Sequence, residues 1–508
     1  MSFPLNSSAL TQQSSLKSFF LLAMAALLMA TVVFLVIVEE VRLAVTVTVV
    51  MAIFGLAMVN IRYAIAMTIA FLIVLGDLRR ILIGVAGWSG EDPLLLIGTL
   101  VASLLMAHAW SSRRVKLDTP LAKWTLAFLA VMTLQVFNPN QGDLIVGVGG
   151  IMFMMSPLFW YWVARSYLNV DLTGKILYYL VLPLSMIAAI LGYYQIFYGY
   201  LPYQMDWYNI TGYVALGNPE TGLAPISFFA SATEHSNFLS IGIVLLTALA
   251  LHKNRGALLL IPILFLGIFL TGSRGPVIRV LFTVAAMWAL LGSNWKTWIA
   301  RSVVALTIVV VGLIWSLSQI GPGLPLSSGP VASVQGKLER QASLLESHEE
   351  KGGTIRVHSY MMIQGYLDAF RKPLGMGLGS TTKAAQKYLD ESLSTETDTG
   401  NVMRGTGLIG GIIYHVMIFF IGLSAIRTWK ARRDPVSLAL VGILIVTFLN
   451  WLGGGQYAVS PLTWLCIGTL DRFQSDRQAD RSAPSLQTDP ESSVDRVAGS
   501  PDPVAEAS

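Results

Sequence analysis

The sequence predicts an all-α, polytopic integral membrane protein, and three observations carry that prediction. AVILMFWYC residues make up 54% of the 508-residue chain and charged residues only 12%, against roughly 25% charged in an ordinary soluble domain. The mean hydropathy is +0.63, more apolar surface than one folded core can remove from water. Apolar runs of about 20 residues, the length that crosses a bilayer as a helix, recur along nearly the whole chain. Lipid is the second apolar solvent that this composition requires.

Taken in order, the runs place spans near 19–38, 43–59, 61–76, 93–110, 121–137, 144–164, 176–198, 236–251, 257–272, 276–292 and 298–318, and then 405–425, 436–452 and 457–470. That is about 12–14 transmembrane helices. Lys17 precedes the first run and no small-residue cleavage site follows it, so 19–38 reads as a retained anchor. The chain divides into a cytoplasmic N-terminus (1–18), a membrane domain (19–318), an outer cap loop (319–404), C-terminal membrane helices (405–470) and a polar tail (471–508). The tail has almost no aromatic residues and cannot bury a core, so disorder is expected there.

Cationic residues are concentrated in alternate turns, which sets the orientation. With the N-terminus inside, the inner turns carry Arg113, Arg114, Lys116, Lys123, Arg165, Lys175, Lys253, Arg255, Lys296, Arg301, Arg427, Lys430, Arg432 and Arg433. The outer turns 138–143, 199–235 and 453–460 carry none. The net charge of +5 is therefore a membrane-orientation signal and not a nucleic-acid footprint. The single cysteine, Cys466, excludes an internal disulfide and a cysteine metal site. Six histidines form no ligand-spaced pair, so no metal and no cofactor is expected.

The outer loop carries helical apolar spacing. Val331, Val334, Leu338, Ala342 and Leu345 form one stripe; Val357, Tyr360, Met361, Gln364, Leu367 and Phe370 form a second, which Pro373 stops. Gly352 and Gly353 separate two amphipathic helices suited to a cap on the membrane surface.

The informative cations are those that break the charge rule. Arg79 and Arg80 fall in the outer turn 77–92, where Asp77, Glu91 and Asp92 are the available ionic partners. Arg274 lies in the turn Thr271-Gly272-Ser273-Arg274-Gly275-Pro276, and Arg279 follows one turn into the next helix. Cations at this depth face cavities or partners, and a helix start beside Arg274 and Arg279 is suited to an anion. Arg340, Arg356, Arg371 and Lys372 add cations from the loop. Guanidinium groups grip phosphate oxygens through paired hydrogen bonds, so convergence at the outer surface points to a lipid-linked diphosphate. Gly375, Gly377 and Gly379 lack the preceding strand of a dinucleotide motif and read as a turn.

Three stretches in this order resemble the O-antigen ligase and polymerase superfamily of bacterial envelope glycan assembly. They are Leu270-Thr271-Gly272-Ser273-Arg274-Gly275; Arg356 followed by Lys372-Pro373-Leu374-Gly375-Met376-Gly377-Leu378-Gly379; and Gly407-Leu408-Ile409-Gly410. The resemblance covers about 225–425. It implies a fold like the C-type glycosyltransferases in the bacterial inner membrane, with a metal-independent active site on the periplasmic side. The reaction implied is transfer of a polyprenyl-diphosphate-linked oligosaccharide onto an acceptor hydroxyl. Arg274 and Arg356 would hold the diphosphate, with Arg279, Arg79 and Arg80 adding positive charge. Membrane lipid, a flippase and a chain-length regulator would be its partners.

Many members, ligases especially, have a histidine shortly before the Gly-Leu-x-Gly stretch. Here that interval reads Ser394-Thr395-Glu396-Thr397-Asp398-Thr399-Gly400-Asn401, so the general base falls to Glu396 or Asp398, with His358 and the pair Glu234 and His235 next in line. The missing histidine favours a polymerase over a ligase. A transporter or flippase would instead show internal repeats and buried midplane charges.

Overall fold

The computed structural model describes residues 29–212, 223–304 apart from 253, 293 and 295, the single positions 307, 334 and 337, and 354–482 apart from 391, 392, 454 and 455; side chains of 354–358 are not among them. Among these residues every regular element is helical. Seven helices are long and apolar enough to cross a membrane, and two shorter apolar helices accompany them. The protein is thus an all-helical, multi-pass membrane protein. Half of the expected span 19–38, most of 298–318 and nearly all of the first cap helix fall outside the described residues.

In chain order the helices are α1 (Val41–Val59), α2 (Ile61–Ile81), α3 (Leu96–Ser111), α4 (Pro120–Gln135), α5 (Leu144–Tyr167), α6 (Val170–Tyr198), α7 (Pro202–Thr211), α8 (Ala232–Leu251), α9 (Ala257–Phe269), α10 (Arg274–Leu290), α11 (Thr354–Arg371), α12 (Lys383–Leu389), α13 (Asp398–Arg432), α14 (Pro435–Val446) and α15 (Val459–Ser482). Hydrophobic residues all round a helix fit it for lipid or for a buried position, and packing decides which. α8 is buried along most of its length, whereas few residues of α1 are buried. α8 and α14 pack together at the centre beside the pair α5 and α15, with α1–α3, α4 with α13, and α9 with α10 on the flanks.

The turns gather at two ends. At one, Arg165 of α5 bonds Asp118 and, at 2.9 Å, Asp471 of α15, while Arg432 meets Asp171 at 2.6 Å and His252 meets the Arg433 carbonyl at 3.2 Å. The other end joins 77–95, 135–143, 199–212, 223–231, 373–389, 449–453 and 456–458.

Several boundaries differ from expectation. α15 continues to Ser482 with Asp471 buried, so residues 471–482, where disorder is expected, are helical and anchored by the polar contacts of Asp471. α2 continues to Ile81, so Arg79 and Arg80 form its last turn rather than an outer turn. α13 begins at Asp398, seven residues before the expected span start at 405. It breaks at Gly407, whose φ of 71° and ψ of −167° suit only glycine. A Cβ there would sit 2.2 Å from the Pro373 carbonyl oxygen.

The 372–380 segment is therefore not a simple turn. It runs along the break in α13, with the Met376 N–H donating to the Arg404 carbonyl at 2.9 Å, Gly377 to Gly405 at 3.0 Å and Leu408 to Pro373 at 3.0 Å. Gly379 packs on α5 so tightly that a Cβ would meet the Val146 carbonyl oxygen at 1.9 Å. Two of the three sequence stretches named above are joined by these bonds.

α11 leaves part of its apolar stripe unburied, which an amphipathic cap on the membrane surface allows. Tyr360, Leu367 and Phe370 are exposed. The helix instead seats on α13 through Gly365 and Ala369, an Asp368–Arg404 ion pair at 2.7 Å and a Tyr366–His415 hydrogen bond at 2.8 Å. Apolar spacing cannot say whether a face meets lipid or protein, because both are apolar.

Candidate functional site

The end that carries turns 77–95 and 373–389 holds a cavity of about 510 Å³. Its walls include Arg79, Trp88, Glu91, Asp92, Lys383, Gln386, Lys387, Tyr388 and Tyr457. A smaller recess of about 40 Å³ adjoins it and shares Leu95, Met152, Phe153 and Tyr457 with it. Leu72, Pro157, Trp160 and Pro461 make that recess mostly apolar.

The floor of the cavity is an ionic knot. The C-terminus of α2 attracts positive charge, and Arg79 there donates to Asp92 at 3.1 Å while its guanidinium lies 4.7 Å over the Trp88 ring. Arg42, at the start of α1, bonds the same Asp92 oxygen and, at 3.1 Å through Nε, the Gly87 carbonyl. The second Asp92 oxygen accepts the Leu94 N–H at 3.1 Å, which starts the short turn before α3. The Asp92 side chain is fully buried, so a carboxylate braced by two guanidinium groups fixes the floor. Lys387 pairs with Glu91 at 3.0 Å near the surface.

Arg80 points away from the cavity and is almost fully buried. It donates to the Phe229 carbonyl at 2.5 Å, pairs with Asp77 at 3.6 Å and stacks 4.3 Å over Trp207. Asp77 also accepts from the Tyr203 hydroxyl at 2.8 Å and Gln204 Nε2 at 2.9 Å. Burial first, and the Asp77 hydrogen bond next, raise the Tyr203 phenol well above its ordinary range, so it remains a donor. Arg80 thus fastens α7 and the 226–229 turn to α2, and it does not line the cavity.

Arg279 approaches from another side. Its Nη2 donates to Asn237 Oδ1 at 2.6 Å, and Asn237 Nδ2 donates to Gln456 Oε1 at 3.0 Å. Gln456 lines the recess, so this amide chain leaves Nε2 as the group it can present there. The Trp160 indole N–H, in the recess wall, is buried without a hydrogen-bond partner. Arg274 opens α10 but lines neither cavity. Arg356 and His358 lie in the first turns of α11, and their side chains are outside the described residues.

The acidic candidates separate. Asp398 is buried at the start of α13, where its carboxylate accepts the Leu452 N–H at 2.8 Å and its own N–H donates to the Leu449 carbonyl at 2.8 Å. It ties α13 to the α14–α15 connection. Glu396 is exposed, with a φ of 63°. Glu234 Oε1 accepts the Ala458 N–H at 2.8 Å, and His235 is fully buried with both ring nitrogens unpartnered. No group of three or more His, Cys, Asp or Glu residues able to hold a metal occurs among the described residues.

Sequence reasoning named Arg79 and its ionic partners but passed over Lys383, Lys387, Trp88, Tyr388, Tyr457 and Gln456. Lys383 and Lys387 were detectable as further cations in the outer loop; the rings carry no local signal, because they meet only in the fold. No protein-family model matches the chain, and comparison with curated proteins finds no match either.

Proposed function

We propose that this protein is a membrane glycosyltransferase of the O-antigen ligase and polymerase kind. In this reading it acts as a polymerase, moving a lipid-diphosphate-linked oligosaccharide onto the hydroxyl of an acceptor repeat unit at the outer face of a bacterial inner membrane. The observation that carries the reading is the cavity, lined by aromatic rings and cations at one end of a bundle of apolar helices. A saccharide presents C–H faces to aromatic rings, whose faces are electron-rich. Supporting it, the 372–380 and 407–410 stretches behind the resemblance meet at the break in α13.

In this mechanism the bond between the anomeric carbon and the diphosphate breaks, and the leaving group gains negative charge. Arg79 at the cavity stabilises that charge more in the transition state than in the ground state, which accelerates the reaction. Arg274, which lines neither cavity, and Arg356 enter this role through the resemblance alone. The acceptor hydroxyl gives its proton to a carboxylate. That carboxylate is Glu396 or Asp398; one Asp398 oxygen also accepts the Leu452 N–H.

Glycan analysis of a deletion strain tests the proposal. A polymerase deletion retains single repeat units, a ligase deletion leaves lipid-linked polymer unattached, and a flippase deletion strands substrate inside. Either of the last two results would replace the polymerase reading.

A further inference from the structure

Three side chains in a row fix one hydrogen-bond direction. A guanidinium can only donate, so the 2.6 Å bond from Arg279 Nη2 determines that Oδ1 is the Asn237 atom facing it. The Asn237 amide nitrogen is left to donate to Gln456 at 3.0 Å, which makes Oε1 of Gln456 an acceptor. Gln456 is only 8% exposed, and its Nε2 donates to no group among the described residues. Bonds in such a chain polarise one another, so the Arg279 charge strengthens Nε2 as a donor through two amides.

Gln456 borders the recess of about 40 Å³ together with Leu72, Phe153 and Trp160. No charged side chain lines that recess, and the Thr99 and Ser156 hydroxyls in its wall bond each other at 2.9 Å. Gly453 leaves the amide uncrowded, since a Cβ there would stand 3.1 Å from Gln456 Nε2. The space is too small for a sugar ring but admits a substituent of a few heavy atoms. Tyr457 stands in the walls of both the recess and the larger cavity, so a group carried by a ligand in that cavity has the recess within reach.

We propose that the recess is a specificity subsite for an uncharged acyl substituent on the saccharide, an acetamido group or an acetyl ester. Its carbonyl oxygen accepts from Gln456 Nε2, and its methyl meets the apolar wall. The inference rests on the glycosyltransferase reading above and deepens it. An anionic acceptor would be buried in a lining that holds no countercharge, which is costly. A lone hydroxyl would satisfy the amide and leave the apolar wall bare. A short acyl group answers both surfaces, and a site built to hydrogen-bond one substituent rejects the analogue that lacks it.

Two measurements test this. Mass spectrometry of the lipid-linked oligosaccharide that accumulates in a deletion strain should find an acetamido or acetyl group. A glycan with neither overturns the inference and leaves the glycosyltransferase reading intact, whereas no accumulated lipid-linked oligosaccharide overturns the reading beneath it.

The second measures turnover in nanodiscs of that purified oligosaccharide, native and after its acyl groups are removed by mild alkali for esters or an amidohydrolase for amides. Q456M keeps the side-chain length but loses both donors. It should turn over the native substrate roughly tenfold more slowly, a loss equivalent to about 1.4 kcal/mol, and match wild type on the deacylated one. G453A, which leaves the hydrogen-bonded chain in place, should likewise slow only the native substrate. N237D separates positioning from folding: its carboxylate still accepts from Arg279 but cannot donate, so Gln456 reverses its amide and turns Oε1 to the recess. N237D should therefore match wild type in thermal unfolding and lose the acyl preference. An equal loss by Q456M on both substrates, as a recess that holds only water would give, overturns the proposal, and so does an N237D protein that keeps the full preference.

Discussion

Replacing Asp92 by Asn should be among the most destabilising single changes in the molecule. The Asp92 side chain is 0% exposed, and those of Arg42 and Arg79 are 7% and 10% exposed. Asparagine keeps an acceptor for the Leu94 N–H but removes the charge that both guanidinium groups share. Breaking a buried ion pair by deleting one partner costs about 3–5 kcal/mol, because the other charge is left in a poorly solvated place. Here two cations are stranded side by side, so the upper part of that range is expected. Against a total stability of roughly 5–15 kcal/mol, D92N should lower the denaturant midpoint steeply. The neighbouring E91Q strips Lys387 of a solvated partner and should stay within about 1 kcal/mol of wild type. Unfolding in mixed micelles, followed by tryptophan fluorescence, measures both. If D92N matches E91Q, the ionic knot does not hold the cavity floor and the account of this end of the bundle fails. The triple change R42M/R79M/D92L replaces all three charges with apolar volume and should recover most of the stability.

The remaining predictions use other parts of the fold. G407A should abolish accumulation of folded protein, since its Cβ would strike the Pro373 carbonyl; G422A, in open space on the same helix, should be neutral or slightly stabilising by up to about 1 kcal/mol. Expression and size-exclusion profiles separate the two. R274K should keep the protein folded yet lower transfer about 10²–10³-fold, because lysine cannot reproduce paired donors to phosphate oxygen; near-normal polymer length would make Arg274 structural. E396Q should lower transfer at unchanged stability, while D398N should lose about 1–3 kcal/mol by weakening the bond that holds the Leu452 N–H. Full polymerisation by E396Q would remove Glu396 as the base.

The sequence by itself determined the helical class, most membrane helices and the pairing of Arg79 and Arg80 with acids near them in the chain. These are local properties: apolar run length, charge placement and partners within 13 residues. It also marked the 372–380 and 407–410 stretches, because glycine is conspicuous wherever backbones touch. Only the tertiary structure decided that Gly377 lies against Gly405, that α11 turns Phe370 outward, and that Asp398 caps a distant turn while Glu396 stays exposed. The cavity is wholly tertiary. Trp88, Lys383 and Tyr457 come from three separate turns, and no periodicity in a chain records which of its turns will share an end of the bundle. Between membrane helices the apolar code is the same toward lipid and toward protein, so the partners of each face are set by shape and by the few buried charges.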